Sequence, residues 1–85
     1  MHKKWYVYIV QCIDDSLYTG ITVDLDRRLD EHNTSNKGAK YTRSRRPVQM
    51  MYSETYETRS IASKREHAIK KLTRKEKLNL LKINT

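Results

Sequence analysis

The chain of 85 residues has no phenylalanine, one cysteine and no long apolar run. A single thiol, Cys12, closes no internal disulfide, which suits a reducing compartment. Cys12 falls in a strand-like stretch, where a free thiol packs as a small hydrophobe. Without about 18 consecutive apolar residues no transmembrane helix is expected. The opening Met-His-Lys-Lys-Trp does not resemble a signal peptide, so the expected location is the cytoplasm and no membrane partner is expected. The three histidines are scattered, no Cys/His set has zinc spacing, and no glycine-rich phosphate loop occurs. With Phe absent, the core must come from Ile, Val, Leu, Met and the tyrosines. A chain this short buries about 60% of its unfolded surface and has room for one domain over residues 1–85.

What is present is charge, and it is segregated. The net charge is +8. Residues 1–36 hold four Lys/Arg against six Asp/Glu, and residues 37–85 hold fourteen against four. One half of the molecule is a concentrated positive source, for which nucleic acid is the natural partner.

Residues 4–12 alternate as a strand, with Tyr6, Tyr8, Val10 and Cys12 on one face and Trp5, Val7 and Ile9 on the other. Asp14-Asp15-Ser16 signals a turn into a second strand over 17–22. A three-residue loop puts Tyr8 and Tyr18 on one face; a two-residue loop would separate them, and the odd loop is expected. Residues 23–33 read as a helix capped by Thr22, with Asp24 and Asp26 in its first turn. Leu25 and Leu29 form its packing ridge, while Arg28 and His32 form a second ridge where core meets solvent. Residues 34–47 read as a polar loop whose cations Lys37, Lys40, Arg43, Arg45 and Arg46 meet no acid. A third strand spans 48–56 behind Pro47. A helix capped by Thr58 or Ser60 runs to about Lys71, with Ile61, Ala62, Ala68, Ile69 and Leu72 inward and Glu66 interrupting that face. Thr73-Arg-Lys-Glu76 is a capping box opening a last helix with Leu78 and Leu81 inward. The expected architecture is α+β, a small three-stranded sheet flanked by helices in the order β-β-α-β-α-α.

The chemistry that can converge is Tyr8 and Tyr18 from the hairpin, Arg28 and His32 from the first helix, Glu66 from the second, and the loop cations. Tyr6-Val7-Tyr8, Tyr18-Thr19-Gly20, Arg28 eight residues after that glycine, His32 four further on and Glu66 together resemble the GIY-YIG nuclease domain. The stretch Lys37-Gly38-Ala39-Lys40-Tyr41-Thr42-Arg43, followed by Arg46-Pro47, is similar to short stand-alone bacterial members. A looser similarity extends to Slx-type nucleases that cut branched DNA. The resemblance implies a metal-dependent endonuclease that hydrolyses DNA phosphodiesters, branched or damaged DNA among them, with one Mg²⁺ or Mn²⁺ ion held by Glu66 and waters. It implies Tyr18 as general base or orienter of the attacking water, and Tyr8 as the group that positions this machinery. Arg28 would stabilise charge on the phosphoryl oxygens, and His32 would relay a proton or grip the phosphate. Gly20 would let the backbone approach Tyr8. Tyr6 stands where the family carries its first glycine, and Thr19 where it carries isoleucine. Asn79 lies in the region of a family asparagine but matches no motif. Targeting is expected from the 37–46 cations, the lysine-rich helices (Lys64-Arg65, Lys70-Lys71) or a protein partner, with structure-selective or weakly specific, salt-sensitive binding. Two competing readings are a nucleic-acid-binding domain that keeps the fold without cutting and a basic domain associated with RNA or ribosomes.

Overall fold

Two strands of alternating side chains need a loop that keeps their register, and Ile13-Asp14-Asp15 supplies it. The computed structural model describes residues 3–83; Met1 and His2, which head the segment read as no signal peptide, and Asn84 and Thr85 lie outside the described residues. Cys12 N–H donates to the Ser16 carbonyl at 2.8 Å and Asp15 N–H to the Cys12 carbonyl at 2.9 Å. Asp15 takes the left-handed conformation, φ 69°, that the third position of such a loop requires and that aspartate tolerates. Asp14 Oδ1 accepts from the Ser16 backbone N–H at 3.1 Å and its hydroxyl at 2.6 Å, locking the turn.

The resulting strands are β1 (Trp5–Gln11) and β2 (Leu17–Thr22), antiparallel, with Tyr8 opposite Gly20 and Val10 opposite Tyr18. Tyr8 and Tyr18 therefore share a face. The third strand, β3 (Gln49–Tyr56), pairs antiparallel on the other side of β1, giving the order β2-β1-β3. Opposite Ile9 and Val10 its register slips by one, so Met51 is an extra residue that bulges outward and is exposed.

The helices are α1 (Leu25–Thr34), α2 (Lys40–Arg43), α3 (Arg59–Lys70) and α4 (Arg74–Ile83). The expected order holds, with α2 as a single extra turn inside the loop read as irregular. The cap of α1 is Asp24, whose carboxylate accepts from Arg27 N–H at 3.0 Å, and not Thr22. Thr22 instead accepts from the Asp24 N–H at 3.2 Å, one step earlier. Thr58 caps α3 by accepting from Ile61 N–H, and Thr73 and Glu76 close the capping box of α4 at 3.2 and 2.9 Å.

One sheet face buries Val7 and Ile9 against Ala62 and Ile69 of α3 and Leu81 of α4; the other buries Tyr8, Val10, Cys12 and Val48 against Leu25 and Leu29 of α1. Ile61 and Ala68 lie on the outer side of α3, contrary to expectation. The inward ridge is Ala62, Arg65, Glu66 and Ile69, one helical stripe at i, i+3, i+4, i+7. Arg65 binds Glu54 of β3 at 2.8 and 2.9 Å, and Tyr56 donates to the same carboxylate at 2.6 Å, as does Tyr52. Burial alone would raise the Glu54 pKa, but the Arg65 bonds and the two phenols hold it at about 2.

Candidate functional site

The tyrosine face of the hairpin meets α1 at a buried imidazole. Tyr8 Oη lies 2.7 Å from His32 Nε2, and His32 Nδ1 lies 2.9 Å from Thr42 Oγ1 in α2. The Thr42 hydroxyl proton is used on the Ala39 carbonyl at 2.9 Å, so Thr42 accepts from Nδ1–H and Nε2 accepts from the Tyr8 hydroxyl. This tautomer is assigned from the short contacts; the Ala39 N–H, 3.4 Å from Nδ1, is the longest approach and demands the opposite one. Arg28 Nε donates to Tyr8 Oη at 3.3 Å, while its Nη1 donates to Glu31 Oε1 and to the Lys37 carbonyl, both at 2.9 Å.

Burial sets the protonation states. It raises the Tyr8 pKa to about 12, against the hydrogen bond and charge of Arg28, so the hydroxyl stays protonated. It lowers the His32 pKa to about 4, helped by the Arg28 charge, so the ring is neutral near pH 7 and able to accept. His32 is fully buried and does not sit at the solvent boundary, because the 35–46 segment folds over it.

Two glycines permit this closeness. A Cβ at Gly20 would stand 2.5 Å from Tyr8 Oη and 2.7 Å from its Cζ, so only a bare backbone lets the phenol pass the neighbouring strand. A Cβ at Gly38 would stand 2.6 Å from the Glu31 carbonyl oxygen, at the point where the loop crosses the end of α1. Arg46 fastens that crossing, its guanidinium donating to the carbonyls of Glu31, His32 and Ser35. The His32 and Ser35 carbonyls lie at the C-terminal end of α1, where intrahelical donors run out; the Glu31 carbonyl also accepts from the Ser35 N–H at 3.1 Å.

Tyr18 stands edge-on to His32, ring centroids 5.5 Å apart, and lies nearly parallel to Tyr41 at 6.0 Å. Glu66 belongs to α3, which packs on the opposite side of the sheet. Its side chain is 21% exposed and 3.4 Å from Lys70 Nζ, and Lys70 Nζ is 6.0 Å from the Tyr18 ring centroid. The negative charge of Glu66 also reaches the Tyr8 hydroxyl and contributes to its raised pKa.

Tyr8, Tyr18, Arg28 and His32 thus lie around one place, and Glu66 reaches it through its charge on Tyr8 and its pair with Lys70. The five loop cations do not act alike. Arg45 is bound to Asp14 at 3.1 Å and to the Tyr41 carbonyl at 2.8 Å, and Arg46 is tied to α1; Lys37, Lys40 and Arg43 are exposed. Asn79 is exposed on α4. The sequence did not single out Thr42, Glu31 or Tyr41 as site residues, and it placed Lys70 among the helix cations. Glu31 was legible at i+3 from Arg28; Thr42 and Tyr41 showed only as part of the 37–43 stretch that resembles the family.

The fold thus sets paired tyrosines on one face of a small antiparallel sheet, beside a buried histidine and an arginine. A model of the GIY-YIG catalytic domain matches residues 4–79, and the chain belongs to the GIY-YIG family. A UPF0213 protein from Desulfotalea psychrophila is 62% identical over 78 residues, covering 92% of this chain and 71% of that one. A UPF0213 protein from Haloquadratum walsbyi is 53% identical over the whole chain and 94% of its own length. The solution structure of a protein from E. faecalis is similar at TM-score 0.65 and 53% identity, covering 95% of this chain and 85% of that one. That of a UPF0213 protein from Bacillus halodurans is similar at TM-score 0.61 and 41% identity, covering 94% and 84%. Family membership implies a DNA substrate and a general dependence on divalent metal. Among the described residues no helix is long and apolar enough to cross a membrane.

Proposed function

We propose that this chain is an endonuclease that hydrolyses phosphodiester bonds in DNA with one divalent ion, Mg²⁺ or Mn²⁺. The observation that carries the reading is the contact of Tyr8 Oη with both His32 Nε2 and Arg28 Nε, in a family of nucleases. Among the described residues no three His, Cys, Asp or Glu side chains cluster. Glu66 offers a single carboxylate, a donor set that fits a hard ion keeping several of its waters. Glu66 would hold that ion, which when bound supplies charge stabilisation at the phosphoryl and leaving 3′ oxygens.

The chain's own groups divide the remaining work. Tyr18, beside the Tyr8–His32 pair, orients or deprotonates the attacking water. Tyr8 holds its proton toward His32 Nε2 and fixes the geometry around it. His32 works by relay and not by gripping phosphate, since both its nitrogens are engaged inside the fold. Arg28 keeps a fixed cation beside the site, and positioned donors of this kind stabilise charge in the transition state. Lys37, Lys40 and Arg43 draw in the DNA backbone by charge, so affinity falls steeply with salt. Branched or damaged DNA is the substrate we favour, with targeting left to these cations or to a protein partner, in one domain that works in the cytoplasm.

A second reading has its own support. Glu66 is paired with Lys70, which is how a carboxylate with no metal duty sits on a helix, and this favours a DNA-binding domain that does not cut. Incubation with flap, splayed and four-way DNA in Mg²⁺ or Mn²⁺, with EDTA controls, separates the two. Metal-dependent cleavage supports the enzyme; tight binding with no cleavage under any metal supports the binding domain.

A further inference from the structure

Tyr41 has no part in the chemistry above, yet among the described residues it is the most exposed tyrosine or tryptophan, at 40%, and it adjoins the site. It lies nearly parallel to Tyr18, 22° between planes, with the Arg45 guanidinium 4.0 Å from its centroid. Arg45 is itself anchored to Asp14 and to the Tyr41 carbonyl, so this Tyr18–Tyr41–Arg45 ladder is held in place before anything binds. Next to Tyr41 opens a cleft of about 200 Å³ lined by Ser16, Leu17, Tyr41, Arg74 and Lys77. Leu17 and the Tyr41 ring give it apolar surface and α4 gives it two cations; no acid lines it.

Apolar surface together with two cations in one cleft matches the two halves of a nucleotide. We propose that this cleft is a subsite for one unpaired nucleotide of the DNA strand, its base against Tyr41 and Leu17 and its phosphate against Arg74 and Lys77. Leu17 and the free edge of the Tyr41 ring offer apolar contact to any base, but a base within a duplex hides its faces in the stack. The subsite therefore selects a strand that is single or frayed within a nucleotide or so of the scissile bond, because Tyr41 touches Tyr18 directly. The inference rests on the nuclease reading for the identity of the strand.

The test uses DNA with an unpaired arm, or fully paired, carrying 2-aminopurine at successive positions. These are titrated in EDTA with wild type, Tyr41→Leu and the double variant Arg74→Glu/Lys77→Glu; cleavage of the same strands is followed in Mg²⁺. In wild type the fluorescence of 2-aminopurine at one position in the unpaired arm should change several-fold, with no such change in paired DNA. Tyr41→Leu should abolish that change, and the double charge reversal should weaken binding about 10-fold or more. The proposal is overturned if no position responds, if paired DNA responds equally, or if the charge reversal leaves both response and affinity as in wild type. The outcomes also separate the two readings. A response at Tyr41 without cleavage sinks the nuclease and leaves the subsite standing. Normal cleavage with KM unchanged in Tyr41→Leu and in the double variant sinks the subsite and leaves the nuclease.

Discussion

The Tyr8 hydroxyl and His32 Nε2, 24 residues apart in sequence, meet at 2.7 Å in the interior, where burial keeps the phenol protonated and the imidazole neutral. The neutral ring is needed for this contact. Charging His32 places a cation beside Arg28 in a buried pocket, and its pKa falls to about 4 for that reason.

Stability should therefore depend on pH through His32. A folded-state pKa below the unfolded value of about 6.5 means that the unfolded chain binds the extra proton. The stabilisation is complete above about pH 6.5 and is lost as pH falls toward 4. Between pH 7.5 and pH 5, urea denaturation of wild type should show a loss of about 2 kcal/mol. His32→Gln should be less stable at pH 7.5 and nearly flat over the same window. A wild-type curve that is equally flat would contradict the buried neutral imidazole.

Gly20→Ala should damage the site while leaving the sheet paired. The added methyl meets the Tyr8 phenol, which is buried and held at its hydroxyl, so strain of about 1–3 kcal/mol is expected. Thermal denaturation would read that loss, and the His32 imidazole resonances should move with it. Unchanged resonances would mean that the phenol yields without cost.

Arg46 and Lys40, both basic residues of one loop, should fail differently. Arg46→Ala removes the donors to the His32 and Ser35 carbonyls at the end of α1 and should cost about 1–3 kcal/mol of stability. Lys40→Ala should leave stability alone and lower the salt slope of DNA binding by about 1. Binding isotherms between 50 and 200 mM salt, beside urea melts, distinguish the two.

Thr19 is the middle residue of the Tyr18-Thr19-Gly20 stretch, and its buried Oγ1 has no hydrogen-bond partner among the described residues. Thr19→Val removes that polar atom without changing shape and should stabilise the fold by up to about 1 kcal/mol. A destabilised variant would reveal a partner for the hydroxyl.

Local rules carried the sequence reading wherever they applied. The alternation in residues 5–11 and the Asp14-Asp15-Ser16 turn were enough to put Tyr8 and Tyr18 on one face, and Thr73 with Glu76 marked the start of α4. The helix phase of α3 was harder. Ile61 and Ala62 are neighbours 100° apart on a helix, and only packing against Val7 and Ile9 decides that Ala62 turns inward. Thr22 and Asp24 are both good caps, and the difference of one half-turn lies in how β2 ends. Burial of His32 was not legible, because it depends on the 35–46 segment crossing α1. That crossing rests on Gly38, Thr42 and Arg46, which meet α1 only in three dimensions.

The central claim is hydrolysis by this site, and the most direct measurement is single-turnover cleavage of a flap DNA in Mg²⁺ by wild type, Tyr18→Phe and Glu66→Ala at saturating protein. Wild type should cut, and EDTA should stop it. Tyr18→Phe should be about 10²-fold slower and Glu66→Ala slower still, each binding the DNA as tightly as wild type. Cleavage at the wild-type rate by both variants, or none by wild type, would contradict it.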